Sequence, residues 1–223
     1  MVQSTGSGGL RTLVASLGSV ILVCFWLSAA ALGHGAIVKE TYTVAPGEGG
    51  YRFPDPTSLG GSFELIDHNG RTVTDRDFRG KWMLLFFGFV GCRESCPVAL
   101  DRMTVALEQL GEEAQAVQPI FVDVSLEAPD PKGLAQFVSN FHPRLIGLAG
   151  TRKQNFHVTR IFKVRREYGH RGWSARETGP RLDHSTYFYL VDPAGKTRVY
   201  LYHALPPEEI AAILRRYLAA DRN

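Results

Sequence analysis

Cys92 and Cys96 stand four positions apart in Phe86-Phe87-Gly88-Phe89-Val90-Gly91-Cys92-Arg93-Glu94-Ser95-Cys96-Pro97. An apolar run precedes them and a helix-like segment follows, so both thiols fall at a strand-to-helix junction. Amides at a helix N-terminus, together with the helix macrodipole, favour a thiolate there. Two such thiols can close on a metal ion or on each other, and the spacing alone does not choose. His184 lies far downstream, in Arg181-Leu182-Asp183-His184-Ser185-Thr186-Tyr187. Two sulfurs and one imidazole make a soft three-donor set suited to copper. A lone histidine at a strand edge is more often a surface or hydrogen-bonded group, so residue type alone does not make His184 a ligand. The set as a whole points to copper or electron handling rather than to turnover of an organic substrate.

The elements that must position these groups are legible from periodicity. Phe63 to Asp67 alternates like a strand, His68-Asn69-Gly70 carries hairpin-turn chemistry, and Arg71 to Val73 returns. Trp82 to Phe89 is continuously apolar, the mark of a strand covered on both faces. Pro97 fits the first turn of a helix, with Leu100, Met103, Ala106, Leu107 and Leu110 at helical spacing behind it. Further on come a buried strand from Ile120 to Val124 and a helix from Pro131 to Phe141. A short strand at Leu145 to Leu148 and a helix from Thr151 to about Phe162 follow. Thr186 to Val191 and Thr197 to Tyr202 read as a hairpin across Asp192-Pro193-Ala194-Gly195, and Pro206 opens a last amphipathic helix. Arg165 to Arg181 is polar and reads as a loop beside His184. Strands alternating with helices, then a hairpin and a terminal helix, predict an α/β sandwich with a mixed central sheet.

Composition excludes several classes. The 223 residues are 44% hydrophobic and 21% charged, which is ordinary for a globular chain. A formal charge of +3 without a basic patch interleaved with aromatics argues against nucleic acid as a partner. From Thr12 to Gly33 run 22 uncharged residues behind Arg11, close to the roughly 20 that span a bilayer. Ser28-Ala29-Ala30-Ala31 also suits a signal peptidase. The segment is therefore expected to be a membrane anchor, or alternatively a cleaved signal. Either reading puts the domain across a membrane, in an oxidising compartment. Val23 is too large for lipid attachment at Cys24. Cys92 and Cys96 close too small a loop for a purely structural disulfide to restrain much chain.

Several segments, in order, resemble the Sco/SenC copper proteins, which have a thioredoxin-like fold. The resemblance is carried by Leu59 to Asp67, Gly80-Lys81, Phe86-Phe87-Gly88-Phe89 leading to Cys92 and Cys96-Pro97, Phe141 to Leu148, Asp183-His184-Ser185, and Tyr189 to Gly195. It implies a thioredoxin-like sandwich with an N-terminal hairpin and an inserted hairpin region. It divides the chain into an anchor or signal segment (1–33), a linker (34–58) and a copper-binding domain (59–223). It also implies that Cys92, Cys96 and His184 hold Cu(I), with imidazole making Cu(II) tolerable. The implied role is a metallochaperone for the binuclear copper centre of a respiratory cytochrome c oxidase. Its partners would be the copper-acceptor subunit of that oxidase, an upstream copper donor or thiol reductant, and the membrane. The location would be the inner membrane facing the periplasm, or the mitochondrial intermembrane space, with secretion into the periplasm as the alternative.

Enzymatic activity is left open: no small-molecule substrate is read, and the rivals are a thiol-disulfide oxidoreductase that keeps partner cysteines reduced and a copper or redox sensor. Two departures stand out. The family's Cys-Pro-Asp-x-Cys-Pro loop reads Cys92-Arg93-Glu94-Ser95-Cys96-Pro97, and its Asp-Pro-x-x-Asp stretch reads Ser125-Leu126-Glu127-Ala128-Pro129. Arg93 is expected to lower the thiol pKa values and to favour redox work.

Overall fold

A computed structural model describes residues 55–125, 127–164, 166–168, 182–184 and 187–221; of 166–168 and 182–184 it gives the strand backbone alone. The expectations for 1–54, including the anchor, and for 169–181 of the polar segment lie outside the described residues. Among the described residues no helix is long and apolar enough to cross a membrane.

β1 (Glu64–Asp67) and β2 (Thr72–Thr74) form the expected opening hairpin. β3 (Trp82–Gly88) is buried along all its length, as its uninterrupted apolar sequence requires. After it come α1 (Ser95–Leu110), β4 (Val117–Asp123), α2 (Pro131–Val138), β5 (Ile146–Ala149) and α3 (Arg152–Ile161). A separate two-stranded ribbon, β6 (Arg166–Tyr168) and β7 (Leu182–His184), interrupts the segment expected to be a loop. β8 (Tyr187–Val191), β9 (Thr197–Tyr202) and α4 (Pro207–Ala220) complete the chain.

The main sheet has seven strands in the order β2-β1-β5-β4-β3-β8-β9. β3, β4 and β5 are parallel, while β8 runs antiparallel to β3 with Phe86 opposite Phe188. This is the mixed sheet predicted from the element order. Strand alternation divides β3 between two cores. Trp82, Leu84 and Phe86 pack with α1, α2 and α4. Met83, Leu85 and Phe87 pack on the other face with Val158 and Phe162, around α3.

One consequence of this topology positions the site. Parallel β3 and β4 end at the same sheet edge, and antiparallel β8 begins there. Gly88 pairs with Asp123 at that edge, and the Cys92 loop rises from it. Beneath the loop Phe86 is fully buried, its ring 5.4 Å from that of Phe188. Truncating this support, Phe86→Ala, is expected to lower unfolding free energy by about 3–5 kcal/mol, as for other buried aromatics. Urea denaturation checks this, and a loss below about 1 kcal/mol would show that the floor of the loop had collapsed to fill the gap.

Candidate metal centre

The loop and α1 are joined through sulfur. α1 starts at Ser95, earlier than Pro97 alone suggests, and its N-cap residue Glu94 makes no side-chain capping bond. Cys92 Sγ takes that place. It accepts the Cys96 N–H at 3.4 Å and lies 3.5 Å from Ser95 Oγ. The first turn of a helix exposes donors without intrahelical partners, and an anion there satisfies them. Pro97 contributes no N–H and so leaves one fewer to satisfy. The Cys92 N–H in turn bonds Phe89 O at 3.0 Å, which closes the loop.

The two thiols differ sharply. Cys92 is half-buried and Cys96 is fully buried; neither is in a disulfide. The Cys96 thiol hydrogen-bonds the Cys92 sulfur, and with Ser95 and the amides of Cys96 and Glu94 it brings the Cys92 pKa down to about 4, against the pull of burial. The same hydrogen bond, burial and the neighbouring Cys92 charge push Cys96 up. At neutral pH the pair is one thiolate and one thiol. Arg93 is exposed, and the largest contributions to the shift come from Cys96 and Ser95. The main contributions to the thiolate are hydrogen bonds, from the Cys96 thiol first, and the expected effect of Arg93 is not among them.

Cys96 sits against backbone. A Cβ on Gly88 would lie 2.8 Å from Cys96 Sγ and equally close to Phe121. Only glycine lets β3 pass that near the sulfur. Asp123, across from Gly88, accepts bonds from Ser125 N and Oγ at 3.0 and 3.2 Å. It also accepts the Val90 amide of the cysteine loop, and burial raises its pKa despite these bonds. Ser125 O is held in turn by Asn155 Nδ2 of α3 at 2.8 Å. Gly88, Ser95 and Asp123 were not singled out from sequence. The available signal for Asp123 was a charge ending the apolar run Ile120-Phe121-Val122.

His184 is the last residue of β7, its backbone paired with Arg166; its side chain lies outside the described residues. It precedes Tyr187, the first residue of β8, by three positions, a chain reach of at most about 11 Å. Other histidines among the described residues have local duties. His142 is buried, and its Nδ1 accepts the Arg144 N–H at 3.1 Å. His157 Nε2 lies 2.9 Å from Ser62 O. His203 stacks edge-on to Tyr202 with ring centroids 4.8 Å apart. Met103 is core, 1% exposed. No cluster of three metal-ligating side chains occurs among the described residues.

The profile of the SCO1/SenC family matches residues 52–219. The chain belongs to the SCO1/SenC family. The human protein SCO2 homolog, mitochondrial, is 36% identical over 165 residues, which cover 73% of this chain and 61% of that protein. The Sco chain thus spans less than two thirds of that relative's length. The solved structure of Bradyrhizobium japonicum ScoI with copper bound is 33% identical, with a TM-score of 0.63, covering 71% of this chain and 99% of the other. Yeast Sco1 with copper bound is 28% identical, with a TM-score of 0.64, covering 73% and 89%. These likenesses give the Sco chain the thioredoxin-like fold that its segments implied.

Because the folded pKa of Cys92 is depressed, its thiolate stabilises the reduced fold above about pH 9 and that contribution is lost as the pH falls towards about 4. In a thiolate absorbance titration, Ser95→Ala is expected to raise the Cys92 midpoint and Arg93→Ala to leave it in place. The opposite ranking would return the thiolate to the control of Arg93.

Proposed function

We propose that this Sco-family chain binds copper through Cys92, Cys96 and His184 and acts as a metallochaperone for the binuclear copper centre of a respiratory cytochrome c oxidase. The supporting observation is the adjacent, reduced thiol pair, one member already a thiolate, in a family with copper-bound structures. Thiolates and imidazole are soft donors that suit Cu(I), and neutral imidazole accommodates Cu(II). Cys92 is ready as a ligand at neutral pH. Cys96 must give up its proton, so loading releases one proton. Residues 12–33 anchor the domain to the membrane from which the acceptor subunit projects.

The thiol asymmetry also favours a second reading, reduction of a partner's disulfide. The half-buried Cys92 thiolate attacks one partner sulfur and expels the other as a thiolate. Cys96, after losing its proton, attacks Cys92 Sγ, releasing the second partner thiolate and leaving a Cys92–Cys96 disulfide. The partner is reduced by two electrons and the pair is oxidised by two.

Anaerobic Cu(I) competition on the reduced full-length protein separates the readings. One tightly held equivalent is expected, weakened at least about tenfold to a hundredfold by His184→Ala, since even outer partners of metal ligands carry that much affinity. Weak copper binding that ignores His184, beside a readily reversible disulfide, would move the assignment to the reductase.

The pH dependence gives an independent check. After correction for the competitor, apparent Cu(I) affinity is expected to rise about tenfold per pH unit around neutrality, the signature of one released proton. A hundredfold rise per unit would mean that Cys92 is also protonated there.

A further inference from the structure

Helix α3 carries a face that neither core nor candidate metal site uses. Phe156 is 61% exposed, more than either of the other exposed large hydrophobic residues among the described ones, Val98 and Val105. Arg152 and Arg160 lie four residues to either side, on the same face, with Lys153 and Lys163 beside them; all four are exposed. Between Asp130 and Glu167 every charged residue is Lys or Arg. Arg152 and Lys153 occupy the first turn, where the macrodipole disfavours cations. The helix start is instead secured by the Thr151–Gln154 capping box, so these charges do not serve the helix itself. The structure thus gathers a local basic patch around an aromatic that the sequence reading did not single out, and Lys and Arg beside an exposed Phe are groups that partition to an anionic membrane interface.

The chain path points the same way. Lys163 Nζ donates to Ser58 Oγ at 3.2 Å, and the Gly60 N–H donates to Ile161 O at 2.9 Å. The segment leading in from residue 55 therefore runs against the C-terminal end of α3. The described chain thus begins near the C-terminal end of α3, and the uncharged stretch 12–33 lies upstream of it in the sequence.

We propose that the α3 face docks on the anionic phospholipid surface of the membrane, with Phe156 entering the headgroup layer and Arg152, Lys153 and Arg160 meeting lipid phosphates. The proposal rests on the anchoring of residues 12–33 put forward above. A tether held at the bilayer keeps the local concentration high, so a modest attraction suffices. Each Lys or Arg near an anionic surface contributes roughly a fivefold gain in partition. A protein partner is the poorer fit, because a stable protein interface needs a broader apolar centre than one phenylalanine supplies. α3 packs on the sheet face opposite α1, so docking leaves the α1 layer turned away from the lipid.

The test uses full-length protein in nanodiscs of phosphatidylcholine, with and without phosphatidylglycerol. Flotation with lipid comes first: failure to insert overturns both the anchor and the docking. Given insertion, acylation of Lys153 and radical oxidation of Phe156 are expected to fall roughly fivefold or more in the anionic discs. Lys132, exposed on α2 across the sheet, serves as the control and keeps its labelling. Salt near 1 M, where the Debye length is about 3 Å, reverses the protection. Arg152→Ser/Arg160→Ser removes roughly 25-fold of the attraction and restores labelling of Lys153, while Cu(I) titration of the same variant stays unchanged. Phe156→Ser gives a second variant with the charges intact and weakens the protection of Lys153. Equal labelling in both lipids, shielding that includes Lys132, or protection seen only when an acidic protein is added would each overturn the assignment.

Discussion

The start of α1 has no ordinary cap, and Cys92 sulfur fills the role. That contact ties the loop to the first helical turn that holds the buried Cys96, and bonds from the Cys96 thiol first, then Ser95 and the helix-start amides, lower the Cys92 pKa. The helix needs an acceptor and the sulfur needs donors, so local folding and reactive chemistry are a single arrangement. Gly88 sets the other boundary by letting β3 pass close under Cys96. The thiols are held from above by a helix start and from below by a strand.

The asymmetry of the pair explains why one loop suits both metal and disulfide chemistry. A thiolate near the surface is what a soft cation meets first and what a partner's disulfide meets first. The second, protonated sulfur delays completion of either event until a proton leaves. Asp123, whose pKa is raised and which holds the Val90 amide of the same loop, adds a second titrating group at the same sheet edge.

Much of this was legible in the sequence because it is local or periodic. The apolar run at Trp82 to Phe89, the helical spacing behind Pro97 and the turn at Asp192 to Gly195 each announced their elements. What was not legible depends on contacts across the sheet. Gly88 matters because Cys96 folds back over it, and Asp123 matters because parallel pairing sets β4 beside β3. Arg93 drew attention as a nearby charge, whereas the named contributions are hydrogen bonds from Cys96 and Ser95, which depend on how the loop folds. The strands of the β6–β7 ribbon are three residues each, too short to show alternation, so an inserted hairpin region was implied by the resemblance and not by periodicity. His184 rested on family resemblance from the outset, since a single histidine carries no spacing signal.

The pairing of β3 with β8 has a consequence for biogenesis. The cysteines arrive with the first half of the fold and His184 with the last, and antiparallel pairing of those two central strands brings their ends to one edge. In the site proposed above, sulfur comes from the segment after β3 and imidazole from β7, the strand before β8. Completing that donor set would require a late, long-range pairing in the register that buries the right face, so a domain in which β8 had slipped would offer metal an incomplete grip.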